Sequence, residues 1–285
     1  MQITARDIEM FTALNRYHCL RANFIHRLIG GSKQHVHRRL GWFRSEGYLS
    51  CPPQQKQAWN ARYAPRVYEL TAKSKALLAS LGISTINHGL ARQFWHQLMV
   101  ADILCSFEII SKFSGRKFRT HHDIVGDAPL TIPSEIEFTF ADGRTQRSSK
   151  SLAPDALFSI DTTYFAIEAD RMHEPLRRST LNQTSYLRKF LQYRDVLLKR
   201  TYQSQWAIPS LLVLNITING EHCRNMIALR RELGDTSRSM LFKAIPSLGS
   251  FERAPRPLLY LLEEPWERVG HAPLVLSKTM NGGDV

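Results

Sequence analysis

Apolar residues recur at helical spacing through the first eighty positions, and shorter alternating or continuous apolar runs follow. Thr4-Ala-Arg-Asp7 has the spacing of a capping box, in which a hydroxyl and a carboxylate satisfy the free amides of a helix start. Ile8, Phe11 and Leu14 continue at that period, which predicts a helix over about 5–16. Leu20, Phe24, Ile25 and Leu28 predict a second over about 20–28. Gly30-Gly31 breaks the chain, and Ser32 is placed to cap a third helix, 32–45, with Val36, Leu40 and Phe43 as its apolar stripe. Gly47 ends that helix. Tyr48-Leu49-Ser50 and Val67-Tyr68-Glu69-Leu70 read as two short strands around a polar, basic, proline-containing loop, 52–66. Thr71 can cap a fourth helix over 72–82, with Leu77, Leu78 and Leu81 apolar and Gly82 as its stop.

Residues 84–89 read as a linker, and the pattern then becomes mixed. A long helix is expected over 90–113, with Phe94, Leu98, Ala101, Leu104 and Ile109 on one side. Ile136, Phe138 and Phe140 alternate with polar residues, the period of a half-buried strand. Strands over 155–160 and 164–170 are joined by a tight turn at 161–163. A helix over about 176–202 precedes an apolar, β-branched central strand at 210–218, a helix near 221–233 and a strand near 239–245. The order predicts an α/β (α+β) chain in three parts. Residues 1–83 form a winged helix-turn-helix domain, 84–89 the linker, and 90–285 a mixed sheet covered by helices.

Charge gives the first part a partner. The net charge of the 285-residue chain is +13. Residues 1–83 hold thirteen Lys and Arg against four Asp and Glu, so +9 of it lies there. Concentrated positive charge favours a polyanion through counterion release, the plain alternative being a solvated basic surface. A helix that enters the major groove keeps one face apolar and offers donors on the other. On the third helix Gln34 can read adenine bidentately and Arg38 guanine, with His37 beside them, while Lys33 and Arg44 suit phosphate. Lys56, Arg62 and Arg66, on the loop between the strands, would reach the backbone or the minor groove of double-stranded DNA.

The rest of the composition excludes more than it assigns. No run of eighteen apolar residues exists, so no membrane-spanning helix and no membrane partner are expected. Arg6, Asp7, Glu9 and Arg16 interrupt the first thirty residues, against a secretory signal. Cys19, Cys51, Cys105 and Cys223 form no CxxC pair, which fits a reducing, cytoplasmic location.

The remaining chemistry is carried by carboxylates. Asp155 follows Pro154 at the start of one strand, and Glu168 and Asp170 share a face of the next, since side chains alternate along a strand. Carboxylates gathered at one point repel each other unless a cation sits between them, and such clusters suit Mg²⁺ or Mn²⁺. Asp102 and Glu108 on the preceding helix are further ligand candidates, or solvated helix residues. His121-His122-Asp123 has the look of a metal triplet, but neighbouring strand residues point to opposite faces, so a loop or exposed strand is the expectation. Ser185 and Tyr186 have no base marked beside them, and Tyr193 reads as a packing or phosphate-contacting phenol.

Pro-Asp, a short hairpin and then Glu-x-Lys or a variant resembles the PD-(D/E)XK nuclease core. Glu168-Ala-Asp170-Arg171, then Pro175, then Lys189 and Tyr193 one turn apart, resembles the replication-relaxation family, which includes the MobC-type relaxases of mobilisable plasmids. Val67–Thr71 and His96 also resemble family positions. The resemblance implies a PD-(D/E)XK-like second domain and metal-dependent DNA nicking, or replication control, on a mobile element. Asp155 and Glu168 would be ligands to Mg²⁺ or Mn²⁺. Asp170 stands where the family of nucleases usually has lysine, and Lys189 or Arg171 would substitute. If neither does, the chain is a non-catalytic replication or transcription regulator. A homodimer and relaxosome or replication proteins are the further candidate partners.

Overall fold

A computed structural model describes residues 2–57, 62–86, 93–249 and 255–280. The chain divides into two compact units, Met1–Ser114 with Ser250–Leu259, and Gly115–Gly249 with Tyr260–Val285.

In the first unit α1 (Ala5–Tyr17) is followed by β1 (Cys19–Arg21), α2 (Ala22–Ile29), α3 (Lys33–Ser45), β2 (Leu49–Ser50), β3 (Val67–Leu70) and α4 (Ala72–Ser80). The capping box of Thr4 and Asp7 is present at the start of α1. Gly30 and Gly31 adopt φ of +78° and +83°, the left-handed conformation that a side chain disfavours, and turn the chain tightly into α3. Val36, Leu40 and Phe43 of α3 are fully buried against Phe11 and the other apolar residues of this unit. Burial of side chains of that size stabilises by roughly 1.5–3 kcal/mol each. β1 is an element the helical spacing hid. It pairs antiparallel with β3, which pairs with β2 on its other edge. The loop between β2 and β3 is tied at its base. Gln55 donates to the Val67 carbonyl and accepts from the Val67 amide, at 3.0 and 2.9 Å. Residues 58–61 of that loop lie outside the described residues.

The expected boundary moves. The long helix α5 spans Phe94–Phe113 and belongs to the first unit, with Ala101, Cys105 and Ile109 in the same core as α1, α2 and α3. Two carboxylates hold it there. Asp102 pairs with Arg21 at 2.9 Å, and Glu108 accepts from Arg16 and Tyr17. Neither carboxylate is a solvated helix residue or a free metal ligand. Of the expected linker, residues 84–86 are fastened to α1, because Asn15 donates to the Ser84 carbonyl and accepts from the Ile86 amide. Residues 87–89 of the linker and 90–92 of the expected helix lie outside the described residues.

The second unit is built on a seven-stranded mixed sheet. Its elements begin with β4 (Phe118–Thr120), α6 (His121–Val125), β5 (Ile136–Thr139), β6 (Thr145–Ser148), β7 (Ala156–Ile160) and β8 (Thr163–Asp170). They continue with α7 (Tyr186–Lys199), α8 (Thr201–Trp206), β9 (Leu212–Thr217), α9 (Gly220–Glu232), β10 (Met240–Ala244), β11 (Trp266–Arg268) and β12 (His271–Leu274). The sheet order is β12-β11-β10-β9-β8-β7-β4. β8, β9 and β10 run parallel at its centre, and every residue of the mostly apolar β9 is buried, Asn215 and Thr217 included.

Three expectations change here. The alternating strand at 136–139 does not join the large sheet, but pairs with β6 in a separate hairpin. The helix expected from 176 starts at Tyr186, because Leu176–Thr184 is polar and Ser185 caps the helix by accepting from the Arg188 amide. It breaks at Arg200, whose φ of 53° separates α7 from α8. His121-His122-Asp123 is neither loop nor strand. It opens α6, and Asp123 spends its carboxylate on the amide and hydroxyl of Thr120.

Candidate functional site

Two groups of side chains carry the chemistry, one in each unit. In the first, Gln34 and Arg38 are exposed on the face of α3 opposite its buried stripe, with Lys33, His37 and Arg44 exposed beside them, and Lys56, Arg62 and Arg66 are exposed on the loop. Partial burial and the nearby Lys33 ammonium lower the His37 pKa below its ordinary value. Arg39 is the exception among the basic residues of this helix. It is buried and donates from Nε and Nη2 to both oxygens of Asp7, at 2.8 and 2.5 Å, locking α3 to α1.

The second group gathers at the carboxyl ends of β8 and β9, the end of a parallel sheet where ligand sites form. The register that sets Ala156 across from Ile167 brings Asp155 alongside Glu168. Asp155 is fixed there, its amide donating to the Ile167 carbonyl and its Oδ2 accepting from the Ala169 amide, both at 2.9 Å. Glu168 is 1% exposed. Its Oε1 accepts from the Tyr193 hydroxyl at 2.6 Å, and its Oε2 lies 2.8 Å from Lys189 Nζ. Lys189 and Tyr193 reach one carboxylate because residues four apart share a helix face. Lys189 also contacts Glu174 Oε2 at 2.5 Å.

Burial raises the Glu168 carboxyl from its ordinary 4.5 to about 7, with Lys189 pulling it down and Asp155 pushing it up. Burial also works against the Lys189 ammonium, but Glu168, Asp155 and Glu174 outweigh it and hold the lysine charged. Burial and the Glu168 charge push the Tyr193 phenol well above its ordinary value, so it stays a donor.

Asp170 sits beside this centre in a different setting. Its Oδ1 accepts from the amides of His173 and Glu174, and its Oδ2 lies 2.8 Å from His222 Nε2. The His222 ring meets the edge of Tyr186, whose buried hydroxyl has no hydrogen-bond partner among the described residues. Arg171, the second substitute for the missing lysine, donates to the Leu248 carbonyl.

The sequence-predicted residues Asp155, Glu168 and Lys189 therefore converge, and Asp170 is drawn aside to His222. Tyr193 is a fully buried partner of Glu168 and no phosphate-contacting phenol, and Ser185 is a helix cap. Sequence reasoning missed Glu174 and His222. Their signals were a carboxylate just before Pro175 and a histidine in the first turn after the central strand.

A divalent ion fits the donor set in one way. Asp155 and Glu168 supply two carboxylates, the number Mg²⁺ commonly takes when phosphate oxygens and water complete its shell. Among the described residues no group of three or more His, Cys, Asp or Glu can hold a metal ion alone.

The chain belongs to the replication-relaxation family, whose model matches residues 11–211. The matched span includes the α3 face and Asp155, Glu168, Lys189 and Tyr193, and ends before His222. None of the curated proteins matches the chain. A solved structure, the crystal structure of protein VC1899 from Vibrio cholerae, aligns over 88% of this chain and 56% of its own at 10% identity and a TM-score of 0.25. The chain spans little more than half the length of that protein, and likeness at that score carries no argument. No helix among the described residues is long and apolar enough to cross a membrane.

Proposed function

We propose that the chain is a site-directed DNA-binding protein of a plasmid or other mobile element that nicks DNA at an origin-type site. In this reading the first unit is a winged helix-turn-helix that addresses the site, and the second is a PD-(D/E)XK-type core. The observation that carries it is Lys189. From α7 it places an ammonium 2.8 Å from Glu168, supplying the lysine that the strand lacks at Asp170.

In this reading each group has one task. The face of α3 reads base edges through Gln34 and Arg38, while Lys33 and Arg44 grip phosphates. Tyr193 and the Ala169 amide hold Glu168 and Asp155 in place. Lys189 keeps a fixed positive charge where negative charge grows on a reacting phosphodiester. Asp155 and Glu168 would hold Mg²⁺ or Mn²⁺, which when bound polarises the phosphodiester and acidifies a water ligand.

A second reading is a non-catalytic regulator. The observation favouring it is that Glu174 as well as Glu168 compensates Lys189, leaving the ammonium fully paired. Supercoiled plasmid carrying the cognate site separates the two. The nickase reading expects relaxation in Mg²⁺ that Glu168→Ala and Asp155→Ala abolish. Full site-specific binding with no cleavage in Mg²⁺ or Mn²⁺ establishes the regulator instead.

A further inference from the structure

The two ends of α7 carry different chemistry. Its first turns hold Tyr186, Lys189 and Tyr193 of the carboxylate cluster. Its last turn faces a cleft of about 660 Å³, formed with the segment that follows α9 and with β12. Arg194, Arg200 and Arg238 line this cleft. Arg200 and Arg238 are exposed, and Arg194 gives one N–H to the Leu233 carbonyl at 3.3 Å. Among the described residues no acidic side chain pairs with any of the three.

The cleft has one acidic lining residue, Asp235, and its charge is already spent. Arg230, which is fully buried, contacts both its oxygens at 3.2 and 3.3 Å, and the Ser237 amide donates to it at 2.9 Å. The positive charge is thus left without a counterion. Arg268 lies close enough to feel it, and burial together with the Arg238 charge holds its guanidinium below the ordinary value. Like charges gathered in a concavity focus a field that attracts anions. The planar fork of arginine matches phosphate oxygens two at a time. Leu198, 78% exposed at the rim, adds an apolar ledge.

We propose that this cleft is a phosphate-binding site, distinct from the carboxylate cluster, that takes the phosphate groups of a nucleic acid strand or of a nucleotide. It goes beyond the nicking activity and stands whether or not the protein cuts DNA.

The test uses the full chain and the double variant Arg200→Gln/Arg238→Gln, with thermal melts followed by circular dichroism. One arm titrates a duplex oligonucleotide of random sequence across a salt series. The other titrates ATP and inorganic pyrophosphate by calorimetry. If the phosphates come from nucleic acid, the variant binds duplex about tenfold or more weakly, and its salt slope falls by about 2. If they come from a nucleotide, the wild type binds ATP and the variant loses that heat while duplex binding is unchanged. Equal behaviour of variant and wild type in both arms overturns the proposal, as does a wild type that binds in neither. Should the double variant melt without cooperativity, Arg238→Gln alone carries the same readings, with a slope change of about 1.

Discussion

Arg38 and Lys189 each belong to a cationic centre, yet the two regions around them treat charge in opposite ways. On α3 the cations stand in water on one face, while the helix is held by apolar burial and by Arg39 on the other. Around Glu168 the cation is inside, with Glu168 held by Tyr193 and Lys189, and Lys189 also meeting Glu174. The exposed face can exchange counterions for phosphates without moving anything. The buried cluster can act on a ligand only by giving up contacts it already has. In the proposed reading, charge that recognises DNA is left in water, and charge poised for chemistry is paired in advance.

The largest effect expected comes from breaking the pair that docks the exposed face. Arg39→Ala leaves the buried Asp7 charge with only the Thr4 amide and hydroxyl as donors and should cost about 3–5 kcal/mol in urea unfolding. A loss below about 1 kcal/mol would mean that the apolar stripe alone seats α3.

Glu168→Gln sharpens the other side of the comparison. The folded-state pKa of Glu168 lies above its unfolded value, so its contribution to stability is fully present below about pH 4.5 and lost as pH rises through about 7. The variant should flatten the fall in unfolding free energy across that window. An unchanged slope assigns the pH dependence to other groups.

On α3 the effects are smaller and separable. Arg38→Ala should cost about 1–3 kcal/mol at the cognate site and relax discrimination at one base pair. Lys33→Ala should weaken all sequences alike and lower the salt slope by about 1. Equal losses on cognate and random duplex for Arg38→Ala would remove it from base reading.

Much of the first unit was legible because its elements are local. The stripe of Val36, Leu40 and Phe43 and the Thr4–Asp7 box announce helices without reference to the rest of the chain. What was not legible depends on distant partners. Arg39 and Arg38 look alike in sequence, and only Asp7, thirty-two positions away, separates them. Nothing in the periodicity of α5 says which core it joins. The centre itself was half visible. Asp155 and Glu168 follow from strand pairing, and Lys189 and Tyr193 from helical spacing. Glu174 and His222 enter through a loop and a later helix that the pattern of alternation does not fix.

The central claim is that Lys189 completes a nicking centre addressed by α3, and strand-break mapping on supercoiled plasmid tests it most directly. With Mg²⁺ present, the wild type should leave one nick at a fixed position in plasmid carrying the cognate site. Lys189→Gln should bind that site equally well and nick about 10²–10³-fold more slowly. An undiminished nick in Lys189→Gln, or breaks scattered without regard to the site, would contradict the account.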